Sequence, residues 1–142
     1  FKRAAKKADR KDRYMLLDFT GSDWCGWCIK LNNEVFNKSE FKDYARKKLI
    51  LVEVDFPRKK KQGKSLEKQN ADLALRYGIR GYPSIIILTP DGTFVAKTGY
   101  KRGGAEKYVE HLKKLIDKYE NKPYEDEDRE KKRNDNREGS GK

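Results

Sequence analysis

The residues best suited to chemistry are two cysteines three positions apart, in Trp24-Cys25-Gly26-Trp27-Cys28. Disulfide exchange needs a thiolate that attacks a substrate sulfur and a second thiol close by that resolves the mixed disulfide. Two intervening residues place both thiols within one helical turn. If Cys25 opens a helix, unpaired backbone N–H groups and the positive end of the helix dipole favour its thiolate. Its pKa is then expected below the free value of about 8.5. Cys28, inside the first turn, is expected to be less exposed and to attack the Cys25 sulfur in turn. Other uses of cysteine fit poorly. Two neighbouring residues cannot build a disulfide framework of the small secreted kind. A four-ligand zinc site lacks its second pair, and the single histidine, His111, lies far along the chain. Neither a metal nor a cofactor is expected. His111 is expected to be an exposed residue on the polar side of a helix.

Positioning that pair requires a strand before it and a helix after it. Residues 14–20 form a compact apolar run and read as a buried strand. Gly21-Ser22-Asp23 reads as a loop. From Cys25 the apolar positions Trp27, Cys28, Leu31, Val35 and Phe36 keep helical spacing. Ser39 suits the N-cap of a second helix reaching residue 47, and residues 49–55, rich in β-branched types, suit a second strand. Ser65 is expected to cap a helix through Tyr77, closed by Gly78. After Gly81-Tyr82-Pro83 comes a strand over residues 84–88, a turn at Pro90-Asp91-Gly92 and a return strand over 93–98. Ala105, Tyr108, Val109, Leu112, Leu115, Ile116 and Tyr119 make one apolar stripe on a long last helix. Residues 1–13, with Ala4, Ala5 and Ala8 among long basic side chains, add an N-terminal helix. The order implies parallel strands joined by helical crossovers, then an antiparallel hairpin. That is an α/β chain with a mixed sheet of four to five strands and helices on both faces.

The chain has 142 residues, a net charge of +12 and 41% charged residues. Residues 1–120 are expected to form one domain and residues 121–142, almost without apolar side chains, a disordered tail. Basic charge concentrates in residues 1–13 and in Arg58-Lys59-Lys60-Lys61 with Lys64. Such runs can attract polyanions, but the simpler reading is a solvated loop and helix face. No aromatic residue interleaves the lysine run, so binding of single-stranded nucleic acid is not expected. A module that binds polyanions, with an incidental cysteine pair, is the reading from a different class. No apolar run approaches the length of a membrane span. No signal peptide is expected within the sequence, and a chain opening at Phe1 reads as a mature form or fragment.

With these elements in place, a resemblance emerges. Leu16-Leu17-Asp18-Phe19 leading to Trp24-Cys25-Gly26-Trp27-Cys28, with Arg76-Tyr77-Gly78-Ile79-Arg80-Gly81-Tyr82-Pro83-Ser84 further on, resembles the thioredoxin superfamily. The approach Thr20-Gly21-Ser22-Asp23-Trp24-Cys25 is most similar to thioredoxin-like domains of bacterial exported thiol–disulfide interchange proteins. The likeness covers about residues 14–119 and implies a thioredoxin fold. It implies that Cys25 is the attacking nucleophile and Cys28 the resolving thiol. It implies that Pro83, from sequence alone a strand-start proline, is a cis-proline facing the cysteines. Trp24, Trp27, Tyr82 and Pro83 would then form the substrate surface. Asp18 would match the buried acid that takes the Cys28 proton. Two departures bear on this. One extra residue separates Asp18 from Cys25, and the lysine that often partners the acid is replaced by an apolar residue near Leu51. Trp27 stands where proline or histidine is common, so one stabiliser of the Cys25 thiolate is missing and a reducing poise is expected. The implied activity is reduction or exchange of protein disulfides by a monomer in the periplasm or another exported location, the cytoplasm being the other possibility, with an upstream thiol reductant. A disulfide isomerase or oxidase is the alternative within the same chemistry.

Overall fold

The computed structural model describes residues 1–121. In chain order its elements are α1 (Lys2–Lys11), β1 (Tyr14–Thr20), α2 (Gly26–Leu31), a π-helical turn (Asn32–Phe36), α3 (Ser39–Lys48), β2 (Leu49–Asp55), α4 (Lys64–Arg76), β3 (Ser84–Leu88), β4 (Phe94–Thr98) and α5 (Gly104–Glu120). The expected tail, apart from Asn121, lies outside the described residues.

The four strands form one sheet in the order β2-β1-β3-β4. β1 pairs parallel with β2 and antiparallel with β3, and β3 pairs antiparallel with β4. The parallel pair needs a crossover, which α2, the π-helical turn and α3 supply. β1 and β3 are the central strands, and all five residues of β3 are buried. This is why both read as apolar runs and not as alternating patterns.

Side chains alternate across the sheet, so each strand feeds two cores. Met15, Leu17, Phe19, Ile86 and Leu88 face α1 and α4, where Ala8 and Leu73 close the layer. Leu16, Ile85 and Ile87 face the other side, beneath Leu31, Phe41 and the α5 residues Tyr108 and Leu112. Fully burying such a side chain stabilises by about 1.5–3 kcal/mol. The same alternation puts Asp18 on the face of Leu16, under α2. That places a carboxyl group where its neighbours along the strand place apolar side chains.

Two helix starts differ from expectation. Ser39 is already helical, and Lys38 is the extended residue before it (φ −86°, ψ 146°). The Lys38 N–H still bonds Val35 O of the π-helical turn, so the chain extends only there. At α4 the extended residue is Gly63, and Ser65 lies within the first turn. Neither helix has a side-chain cap, because the serines sit one or two residues past the cap position. Gly78, as expected, closes α4 in the left-handed region (φ 61°), and the Ile79 N–H returns to Ala74 O.

Candidate active site

Cys25 is the N-cap of α2, in extended conformation (φ −87°, ψ 106°), directly after the loop that leaves β1. Cys25 and Cys28 are joined by a disulfide with their Cα atoms 5.2 Å apart. The Cys28 N–H points back at the Cys25 Sγ, 3.3 Å away, and the Ile29 N–H bonds the Cys25 carbonyl. Charge on the Cys25 sulfur therefore meets a backbone donor as well as the start of a helix. Both cysteines are buried, at 7% and 5% exposure, Cys25 being the more open.

The loop before Cys25 is folded tightly. The N–H groups of Trp24 and Cys25 both bond Gly21 O. A Cβ on Gly21 would lie 2.3 Å from the Trp24 ring, so the indole occupies the space a side chain would need. The Trp24 Nε1–H donates to Phe56 O at 2.6 Å. Its ring meets Tyr82 edge-on, at 5.7 Å between centroids, and Tyr82 packs on Phe56 at 5.3 Å. Tyr82 precedes Pro83 through a cis peptide bond. Behind Pro83, a Cβ on Gly99 would sit 3.3 Å from the Pro83 carbonyl, and the Gly99 carbonyl itself accepts from the Tyr108 hydroxyl. Trp24, the residue before Cys25, thus meets Tyr82, the residue before cis-Pro83. Trp27 is 54% exposed and lies against Tyr100 at 5.2 Å, with the Lys30 ammonium over both rings.

Beneath α2 lies a cavity of about 240 Å³ whose walls include Cys28, Asn32 and Phe36 above and Asp18, Leu51 and Glu53 below. Asp18 pairs in register with Glu53, and Leu16 with Leu51. Leu51 and Glu53 are exposed on the edge strand, so the cavity reaches solvent there. Among the described residues, nothing hydrogen-bonds the buried Asp18 Oδ1. Burial, followed by the charges of Glu53 and Asp55, raises the Asp18 pKa from 3.8 to about 7. The extra residue between Asp18 and Cys25 is absorbed in the loop, since Asp18 and Cys28 still line one cavity.

Two groups differ from their sequence reading. His111 is half-buried: its Nε2 lies 2.8 Å from the Thr98 hydroxyl and its ring meets Tyr108 edge-on. Tyr108 is one helical turn away on α5 and β4 brings up Thr98, so the histidine rests against the sheet. The basic run is more than a solvated loop. The Asp23 carboxylate accepts the backbone N–H groups of Arg58, Lys59 and Lys60 at 3.0–3.1 Å, which holds its pKa below the usual value. The Arg58 guanidinium lies over the Trp24 ring at 3.6 Å. Sequence reasoning missed this contact because 34 positions separate the partners. The signal available was an Asp beside the cysteine motif and a run of cations after the second parallel strand.

Known proteins resemble the chain in sequence and fold. The chain is 38% identical over 110 residues to "Disulfide bond reductase DsbH" of Chlamydia pneumoniae, covering 78% of this chain and 65% of that protein. It is 29% identical to "Thioredoxin-related protein DsbJ" of the same organism, covering 72% of this chain and 32% of that one. The chain therefore spans less than two thirds of the length of these curated relatives. Among solved structures, "DsbH Oxidoreductase" superposes with a TM-score of 0.79 at 34% identity, covering 82% of this chain and 81% of the other. The family model for the thioredoxin-like domain matches residues 1–116, from α1 into α5, and the chain belongs to that family.

Proposed function

We propose that this chain is a thiol–disulfide oxidoreductase that reduces or exchanges protein disulfides through Cys25 and Cys28. The observation that carries the reading is the Cys25–Cys28 disulfide at the head of α2, above a cavity floored by an unpartnered, proton-holding Asp18. In the reduced protein the Cys25 thiolate attacks one sulfur of a substrate disulfide. A Cys25–substrate mixed disulfide forms, and the other substrate sulfur leaves as a thiolate. Asp18 in its ionised form takes the Cys28 proton, and the Cys28 sulfur attacks the Cys25 sulfur. The second substrate sulfur leaves as a thiolate and takes up a proton, and the Cys25–Cys28 disulfide is restored. An upstream thiol reductant returns the pair to the dithiol state for the next cycle.

Trp24, Trp27, Tyr82 and Pro83 form the substrate face. The cis bond before Pro83 is the family's means of presenting neighbouring backbone to an extended substrate segment, and Tyr82 links that segment to Trp24. The reducing direction is supported by the name of the DsbH relative and by Trp27 at the position where histidine would stabilise the Cys25 thiolate. An exported, periplasmic location follows from the likeness to bacterial interchange proteins, and a monomer suffices for the chemistry.

Insulin reduction with an added thiol reductant tests the proposal. The parent chain turns over, Cys25→Ser does not, and Cys28→Ser accumulates a mixed disulfide through Cys25. Full activity in Cys25→Ser would overturn it. Equilibration with glutathione tests direction: a potential near the oxidase end, about −120 mV, would exclude the reducing reading.

A further inference from the structure

We propose that the segment of residues 58–61 is a docking element beside the redox pair, selecting disulfide substrates whose cysteine is flanked by carboxylates. The proposal rests on the oxidoreductase reading and names a substrate class for that site.

The loop is held against the cysteine motif by contacts at both ends. Trp24, next to Cys25, donates to Phe56 O, and the Phe56 N–H returns to Thr20 O. Asp23 receives three successive N–H groups of the loop. Ser22 donates through both its N–H and its hydroxyl to Asp55, which also meets the Lys60 ammonium at 3.5 Å. A loop that only kept the surface hydrated would need none of these ties. Their effect is to fix Arg58 over Trp24, close enough that its charge opposes the rise in the Tyr82 pKa caused by burial. Arg58 therefore reaches toward the residue that precedes cis-Pro83.

The charge left over is positive. Five cations, Arg58, Lys59, Lys60, Lys61 and Lys64, stand against Asp23 and Asp55, which contact the loop, and Glu53, which lines one pocket with Lys60 and Lys61. Asp23 directs both oxygens at backbone donors. Among the described residues, the side chains of Arg58, Lys59 and Lys61 have no acidic partner, and all three residues are exposed. An acidic substrate segment beside its cysteine would meet them as it approached Cys25. Exposed charges act mainly through encounter rate and with strong salt dependence. Nucleic acid fits the patch less well, because Arg58 already covers a face of Trp24, the aromatic residue on which a base would stack.

The test uses two short peptide disulfides identical except for Glu or Lys on either side of the cysteine. Each rate is divided by the rate on 2-hydroxyethyl disulfide, which carries no charge and reports the cysteine chemistry alone. At low salt the parent chain should reduce the Glu peptide about tenfold faster than the Lys peptide, with the gap closing above about 0.3 M salt. Lys59→Glu with Lys61→Glu should reverse the order. Equal rates in the parent, or a preference that survives the double reversal, would overturn the docking loop. So would a single-stranded oligonucleotide that binds more tightly than a Glu peptide of equal charge. Absence of turnover on 2-hydroxyethyl disulfide would instead overturn the oxidoreductase reading beneath it.

Discussion

Replacing Asp18 by asparagine should stabilise the disulfide-bonded protein at pH 8 and change it little at pH 4. Among the described residues no donor reaches the buried Asp18 Oδ1, and its charged neighbours are the acids Glu53 and Asp55. In the native state its pKa is raised from 3.8 to about 7, whereas in the unfolded chain it titrates near its ordinary value. Between those two values the native state binds more protons than the unfolded state, so stability falls as pH rises. The loss starts near pH 4 and is complete above about pH 7. A shift of about three units at 1.36 kcal/mol each amounts to about 4 kcal/mol. That is a large part of the 5–15 kcal/mol typical of a whole domain. Asparagine does not titrate, so the difference between the two stability curves isolates this one group. At pH 4 both side chains are largely neutral, and the variants should agree within about 1 kcal/mol. Urea denaturation at one-unit steps from pH 4 to pH 9 measures it, and with a slope near 2 kcal/mol per molar the midpoints should separate by about 2 M. Glu53→Gln removes the second-largest cause and should narrow the gap. A difference that is flat with pH, or that widens as pH falls, would refute the reasoning.

Two further predictions concern the loops around the pair. Gly21→Ala places a methyl group 2.3 Å from a Trp24 ring already pinned by Phe56 O and Arg58, so it should cost about 1–3 kcal/mol and alter tryptophan emission. An unchanged emission spectrum would mean that the indole has room to yield. Asp23→Ala releases three backbone N–H groups, and limited trypsin digestion should then cut faster within Arg58-Lys59-Lys60-Lys61. An unaltered cleavage rate would show that Asp23 is not the clamp.

What the sequence disclosed divides by range. β1, β2 and β3 are legible because their runs are apolar or β-branched, and the cysteine pair because its spacing matches one helical turn. Ser39 and Ser65 stand one and two residues past the cap positions, since composition says which residue can cap a helix and backbone dihedrals say which one does. The π-helical turn left no mark, because one wider turn keeps Leu31, Val35 and Phe36 facing the core. Arg58 on Trp24 and His111 on Thr98 were invisible because each joins elements that only the sheet brings together.

The placement of charge around the cysteines follows from those long-range contacts. Below α2 the acids gather: Asp18 has Glu53 and Asp55 as its electrostatic neighbours, and Leu51 lines the wall of the same cavity. Burial first, and then the charges of Glu53 and Asp55, disfavour the ionised form of Asp18, and its pKa rises to about 7. Beside the cysteine motif the cations gather on a loop that Asp23 and Asp55 hold down. Asp55 belongs to both levels, raising the Asp18 pKa while anchoring Ser22 and Lys60. Acids and cations therefore meet at the end of β2, and in the proposed cycle Asp18 serves the resolving thiol while the exposed lysines of the loop serve the proposed docking.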